Sequence, residues 1–356
     1  MSDIKITRTT SSHRSEVDFE NIPFGKIFTD HMFVATYDGD KWTDMEIIPF
    51  GNLTLHPAML AIHYGQSIFE GMKAGISRDG DPILFRPEMH ARRLNNSARR
   101  LCMPEFPEDM FIAALEGLLR LDHQWIPTKK GSSLYIRPFM FATDEFIGVR
   151  PSDTYKMIIF TQPVGPYYRE PVKLLAEKKY IRAAMGGTGE AKAAGNYAGS
   201  LLPAKLAKEQ GYDQVLWLDA REFKYIQEVG TMNIFFVIDD VVVTPATTGT
   251  ILKGITRDTF IQVLRDEGYK VEERLLTIDE VEEAHRDGKL SEVFGAGTAA
   301  VVAKVSEIKH MDNVMKIDTE AFKVAPLLFD RIDALRNGVA DDIHGWRHPV
   351  PVGAEV

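Results

Sequence analysis

The chain has 356 residues, 44% hydrophobic and 26% charged, with 27 Gly and 18 Pro, values that exclude collagen-like, low-complexity and largely disordered proteins and call for two domains with a core each. Forty-two Lys+Arg against 51 Asp+Glu leave a formal charge of −9, a field that repels polyphosphate and anionic lipid and argues against a nucleic-acid or membrane partner. A single cysteine, Cys102, excludes an internal disulfide and a cysteine zinc site. The first residues lack the apolar core of a secretion signal, and Asp3, Glu16 and Asp18 speak against a transit peptide; a cytoplasmic protein with a frayed start of ~15 residues is expected. No apolar run is long enough to span a bilayer. Pro87–Leu101 reads as a helix with Pro87 in its first turn. LYIRPFMF and YKMIIFT, rich in β-branched and aromatic residues, read as strands. Pro163, Gly165, Pro166 and Pro171 then crowd one short stretch, which predicts a linker. It divides the chain into an N-terminal domain over 1–164, a connecting loop over 165–175 and a C-terminal domain over 176–356. In the second domain DQVLWLD reads as a buried strand and NIFFVIDDVVVTP as two strands joined at Asp239-Asp240. ITRDTFIQVLRDEG reads as a helix capped by Thr256 and closed by Gly268. Thr277 and Glu280 form a capping box for a further helix ending at Gly288. SEVFGAGTAAVVAKV gives two strands hinged at the glycines. Strands mixed with helices make the class α/β or α+β.

Four small-residue clusters carry the candidate chemistry. In GGTGEAKAAGNY, Lys192 is the only cation among glycines and alanines. A lysine in a tight, partly dry site loses its charge readily and becomes a nucleophile towards carbonyls; the same pattern also suits a surface glycine loop with a solvated lysine. A nucleotide P-loop does not fit, because Ala193 stands where Ser/Thr would meet magnesium. In EVGTMNIFF, Glu228 needs a cation or donor if it is buried, or it faces water. LKGITR opens a helix whose free N–H groups, with the Thr256 hydroxyl, make either an anion site or a plain cap. FGAGTAA offers glycines able to take positive φ and N–H donors at Thr298 and Ala299, a possible anion nest. His344 and His348 are interrupted by Gly345 and Pro349, so no metal site is expected. Together the clusters supply an amine nucleophile, an isolated carboxylate and two anion sites, the set that pyridoxal 5′-phosphate requires.

With those residues aligned, the chain resembles the fold type IV pyridoxal-phosphate enzymes, and among them the branched-chain amino-acid aminotransferases. HYGQSIFEGMKA, RRLNNSARR, SLYIRP, PVGPYY, GGTGEAKAAGNYAGSLL, QVLWLD, EVGTMNIFF, LKGITRD and FGAGTAAVV occur in order from about Phe24 to the C-terminus. The resemblance implies a small N-terminal α/β domain and a larger C-terminal, β-barrel-like cofactor domain. It implies Lys192 as the Schiff-base lysine and proton carrier, Glu228 as the pyridine-nitrogen acid and Tyr197 as the phenol on the 3′-oxygen. Arg93, Thr231, Ile255, Thr256 and Thr298 are implied as further cofactor contacts, with Arg93 on the phosphate. Tyr64, Phe69, Tyr135 and Tyr167 match the aromatic wall of the substrate pocket, and Arg137 an arginine that helps it accept glutamate. Thr298 and Ala299 would hold the substrate α-carboxylate, and Ile147 and Val149 would close the pocket across a homodimer interface.

The implied reaction moves the amine of leucine, isoleucine or valine to 2-oxoglutarate, giving 2-oxo acids and glutamate. Rival readings are a D-amino-acid aminotransferase, an aminodeoxychorismate lyase or, from another class, a nucleotide-binding protein. Ala300 and Ala303 replace the redox CxxC of the animal enzymes, so thiol regulation is not expected. Pro203 is harmless if its helix begins near Ser200 and kinks it if the helix begins at Tyr197.

Overall fold

The computed structural model describes residues 4–165 and 170–353. The chain divides into two compact units. Unit 1 holds residues 1–167, 192–195 and 333–356; unit 2 holds 168–191 and 196–332. The sequence reading assigned 333–356 to the C-terminal domain, and the structure places this end in unit 1, where Arg347–Pro349 extends a sheet beside Pro82–Phe85. The short segment carrying Lys192 also belongs to unit 1.

Unit 1 is built on a nine-stranded sheet in which, among the described residues, only one pairing is parallel. That exception is Lys5–Ile6 beside Glu46 and Ile47, so the start of the chain is tied down rather than frayed from residue 5. The LYIRPFMF run forms Ser133–Ala142, paired along its whole length with Tyr155–Val164. Pro163 thus lies inside a strand, not in the linker. The neighbouring strand His31–Tyr37 pairs only as far as Phe160, so at Pro163 one strand edge carries no ladder and the missing N–H costs nothing. Helix Pro87–Arg100 starts on its proline, as expected. With helix Glu108–Asp122 it covers a core that includes Phe33, Leu94, Phe111, Leu118, Ile136 and Met140.

Unit 2 is a second nine-stranded, mixed and curled sheet. Asp239 and Asp240 both take positive φ (53° and 62°) between Asn233–Ile238 and Val241–Pro245, the backbone a two-residue hairpin turn demands. Phe235, Phe260 and Phe294 stack where helix Ile255–Asp266 meets the sheet. Thr277 caps Ile278–Arg286 by accepting the Glu280 N–H, while the Glu280 carboxylate pairs with Arg274 instead of returning to the cap. Two helix starts differ from expectation. Gly254, not Thr256, is the N-cap of Ile255–Asp266, and no side chain caps it. The chain after Lys192 makes two helices, Ala194–Ala198 and Leu201–Glu209. Pro203 falls in the first turn of the second, where it has no N–H bond to break.

The glycines of FGAGTAA play another part than the one expected. Gly295 and Gly297 lie within strand Leu290–Gly297 and neither has positive φ; Val301 does, at 62°. A Cβ at either glycine would stand 2.9 Å from a Met232 side-chain carbon. They are small so that Met232 can pack on the strand, and the turn is left to residues 298–300.

Candidate active site

In unit 1, Lys192 is fixed through its own peptide. Its N–H donates to Ser97 Oγ (2.9 Å) on helix Pro87–Arg100, and its carbonyl accepts the Phe69 N–H (3.0 Å) from strand Ser67–Phe69. The half-buried side chain brings Nζ over the Phe69 ring, 4.7 Å from its centre. Arg137 lies over the same ring at 4.7 Å and donates through Nη2 to the Tyr135 hydroxyl at 3.0 Å. Its Nε is buried without a partner. A Cβ on Gly71 would stand 2.1 Å from that hydroxyl, so only glycine admits the tyrosine there. Four residues singled out from sequence, Lys192, Phe69, Tyr135 and Arg137, therefore share one place.

Arg93 follows one step away. Its Nε and Nη2 grip the Glu70 carboxylate at 2.7 and 2.8 Å, and His90 Nδ1 meets the same carboxylate at 2.7 Å. Burial pushes the Glu70 carboxyl up, and Arg93 and His90 more than reverse it, holding the group well below the ordinary carboxylate range. Burial lowers the His90 pKa and the Glu70 bond only partly offsets it; with the carboxylate as acceptor, Nδ1 is the donor.

In unit 2, Glu228 lies within strand Ile226–Val229 and is 2% exposed, so the choice left open by sequence resolves to burial. Arg182 Nη1 stands 2.6 Å from its Oε2, Asn233 Nδ2 donates to Oε1 at 3.3 Å, and the Leu252 N–H reaches Oε2 at 3.4 Å. Arg182 is itself anchored on the Gly189 and Thr250 carbonyls. A Cβ on Gly254 would stand 1.9 Å from Asn233 Oδ1, so this glycine lets the asparagine reach Glu228 just before the helix begins. Ile255 and Thr256 are buried in the uncapped first turn. Their N–H groups belong to the set that a helix start leaves for an anion.

The other expected residues fall elsewhere. Tyr197 is half-buried on Ala194–Ala198, and Thr298 and Ala299 are half-buried in the turn 298–300. Thr231 is exposed in the turn between Glu228 and Asn233. Tyr64, Ile147 and Val149 are 42%, 59% and 89% exposed. Tyr167 lies outside the described residues. His344 stacks on Trp346 and His348 bonds Glu116, which gives both histidines structural work. Sequence reasoning missed Glu70, His90, Ser97, Arg182 and Asn233. Only Asn233 left a local trace, five residues beyond Glu228 across a tight turn.

Comparison with known proteins gives this arrangement a class. Residues 67–308 match the amino-transferase class IV model, and the chain belongs to that family of transaminases. The "Branched-chain-amino-acid aminotransferase 2" of Bacillus subtilis (strain 168) is 48% identical over 342 residues, 95% of this chain and 94% of that one. The "Branched-chain-amino-acid aminotransferase" of Mycolicibacterium smegmatis is 44% identical over 92% and 91%. Within the class the chain thus stands among the branched-chain-amino-acid aminotransferases. A solved structure of the Escherichia coli branched-chain amino acid aminotransferase overlays with TM-score 0.73 at 28% identity, covering 90% of this chain and 99% of that one. A second solved branched-chain amino acid aminotransferase, complexed with N-(5′-phosphopyridoxyl)-L-glutamate, does so with TM-score 0.74 at 27% identity, over 90% and 98%.

Proposed function

We propose that this protein transfers the amino group of L-leucine, L-isoleucine or L-valine to 2-oxoglutarate, reversibly, with pyridoxal 5′-phosphate attached to Lys192, and that it works in the cytoplasm as a homodimer. The observation that carries the reading is the Lys192 amine held over Phe69 beside Arg137 and Tyr135. Its surroundings are aromatic, as a branched side chain requires, yet they contain a cation for the second carboxylate of glutamate. The buried, unpartnered Arg137 Nε suits that anion.

The residues present fit the cofactor. Glu228, a buried carboxylate held by Arg182, Asn233 and the Leu252 N–H, is the carboxylate for a ring nitrogen. In unit 1 Arg93 offers a cation that suits a phosphate, and in unit 2 the uncapped turn at Ile255 and Thr256 offers N–H groups of the same use, with Thr298 and Thr231 as lesser contacts. Tyr197 is the phenol for the 3′-oxygen. When bound, pyridoxal 5′-phosphate supplies an aldehyde that takes up the amino group and a ring that accepts electrons from the α-carbon. Lys192 then moves the proton to and from that carbon, Glu228 favours a protonated ring nitrogen, and the Thr298 and Ala299 N–H groups orient the substrate carboxylate. On the same reading Tyr64 belongs to the apolar wall, and Ile147 and Val149 would close the pocket from a second copy.

The dimer reading is supported by an exposed apolar surface on unit 1. Met59 pairs with Glu145, which brings Ile62 and Tyr64 beside the segment of Phe146, Ile147 and Val149. A second copy of this chain is the occupant that would also set Ile147 and Val149 to work, and Ile147→Asp is expected to shift the oligomer to monomer in light scattering.

An amino-donor screen against 2-oxoglutarate, with both stereoisomers, tests the whole proposal. L-leucine, L-isoleucine and L-valine are expected to lead, and D-alanine turned over as fast as L-leucine would overturn it. Borohydride reduction of the yellow protein, absorbing near ~410–430 nm, is expected to label Lys192. A label on another lysine would reassign the site.

A further inference from the structure

Glu70 takes no part in the chemistry just described, yet among the described residues of unit 1 its carboxylate is as deeply buried as any charge, with no exposed surface. A buried Arg–Glu pair is a poor device for stability, since well-packed apolar residues often do as well. What such a pair gives is direction. A bidentate fork fixes the plane of a guanidinium that packing alone would leave to rotate. His90, one turn before Arg93 on the same helix face, holds the carboxylate from a third direction, and the Gly71 N–H adds a fourth bond at 3.2 Å.

The bonds around this pair close a ring. From Lys192 the N–H passes to Ser97 Oγ, whose hydroxyl donates to the Arg93 carbonyl at 3.0 Å. The Arg93 guanidinium passes to the Glu70 carboxylate. Glu70 is the chain neighbour of Phe69, whose N–H returns to the Lys192 carbonyl. The ring closes through hydrogen bonds, the Phe69–Glu70 peptide and the side chains of Arg93 and Glu70, each held at its far end, so a shift of the Arg93 guanidinium is coupled to the Lys192 backbone.

We propose that Glu70, supported by His90 and Ser97, is a positioning residue that sets the distance and aim of Arg93 relative to Lys192. On the assignment of the previous subsection, on which this inference rests, that is the spacing between the amine that attaches the cofactor and the cation that holds its phosphate. Glu70 touches neither reacting group and acts only through Arg93.

A double-mutant cycle on cofactor affinity tests this, with dialysed apoenzyme titrated by pyridoxal 5′-phosphate and read by absorbance rather than turnover. Glu70→Gln keeps the size and removes the charge, and is expected to raise the dissociation constant about 10-fold, the effect of losing a charged hydrogen bond. In an Arg93→Ala background the same change is expected to add less than 2-fold, because the residue it works through is gone. A full 10-fold effect in both backgrounds, or none in either, overturns the proposal while leaving the phosphate assignment standing. An Arg93→Ala enzyme that retains the cofactor as well as the parent overturns that assignment, and the proposal with it. Should Glu70→Gln fail to fold, Ser97→Ala breaks the same ring by removing one hydroxyl; it is expected to weaken affinity about 3-fold in the parent and not at all beside Arg93→Ala, and equal loss in both sinks the idea.

Discussion

Among the described residues, unit 1 buries Glu70 against Arg93 and unit 2 buries Glu228 against Arg182, and the two pairs are built in opposite senses. In unit 1 the carboxylate of Glu70 has no exposed surface and its partner Arg93 is the residue assigned to a ligand. In unit 2 the arginine is the anchored member, Arg182 being fixed on two carbonyls, and its partner Glu228 is the residue assigned to a ligand. On the proposed assignment, the anion site would be made by aiming a cation with a buried carboxylate, and the site for a protonated ring nitrogen by aiming a carboxylate with a buried cation. Neither pair is explained by stability alone. The difference teaches which member of a buried pair to test for chemistry and which for placement.

Variants should separate the two pairs by what they lose. Lys192→Ala sets the floor: removing the nucleophile and proton carrier is expected to abolish transamination, and near-normal turnover would take Lys192 out of the mechanism. Above that floor, Glu228→Gln is expected to lower kcat by at least ~10²-fold, the low end for a proton-transfer contribution, while the protein still retains its cofactor. Arg93→Ala should do the reverse. Cofactor dissociation rises, and kcat at saturating cofactor falls far less than in Glu228→Gln. If both variants lose rate and retention in the same proportion, the opposition between the pairs is wrong. Arg182→Gln, which unseats Glu228 without removing it, is expected to cost about 10-fold in kcat, an amount typical of a residue that orients another. A loss equal to that of Glu228→Gln would make Arg182 a full partner in the chemistry.

How far these pairs were legible in the sequence follows from the range of their contacts. Local chemistry was readable: Pro87 at a helix start, the two aspartates of a tight turn, Thr277 before its helix, and Lys192 among small residues. Glu228 was visible as a carboxylate ahead of an apolar run, but its burial depends on Arg182, 46 positions earlier, and nothing local marks that arginine. Glu70 and Arg93 are 23 residues apart on a strand end and a helix, and no periodicity links them. The FGAGTAA glycines misled because a glycine can serve positive φ or close approach, and only the position of Met232 decides between them. The cap at Thr256 failed for a similar reason: Gly254 is needed by Asn233, and the helix begins where that contact ends.

A buried lysine of unit 1 gives the smallest prediction. Lys73, 5% exposed on strand Met72–Ile76, is held down to about 7 from 10.5 by burial and by Arg336, which Asp333 only partly offsets. The lowered value means that between about pH 7 and 10.5 the unfolded chain binds a proton that the folded protein does not. Stability should therefore rise with pH across that window, by up to ~1.4 kcal/mol per unit, and this gain should be absent below it. Lys73→Met keeps the length of the side chain and removes the titration. Its thermal midpoint is expected to exceed that of the parent at pH 7 and to converge with it by pH 10. Comparing the two proteins across the range cancels other groups that titrate there. If their midpoints run parallel, Lys73 keeps its proton in the folded state across the window, and burial does not lower its pKa.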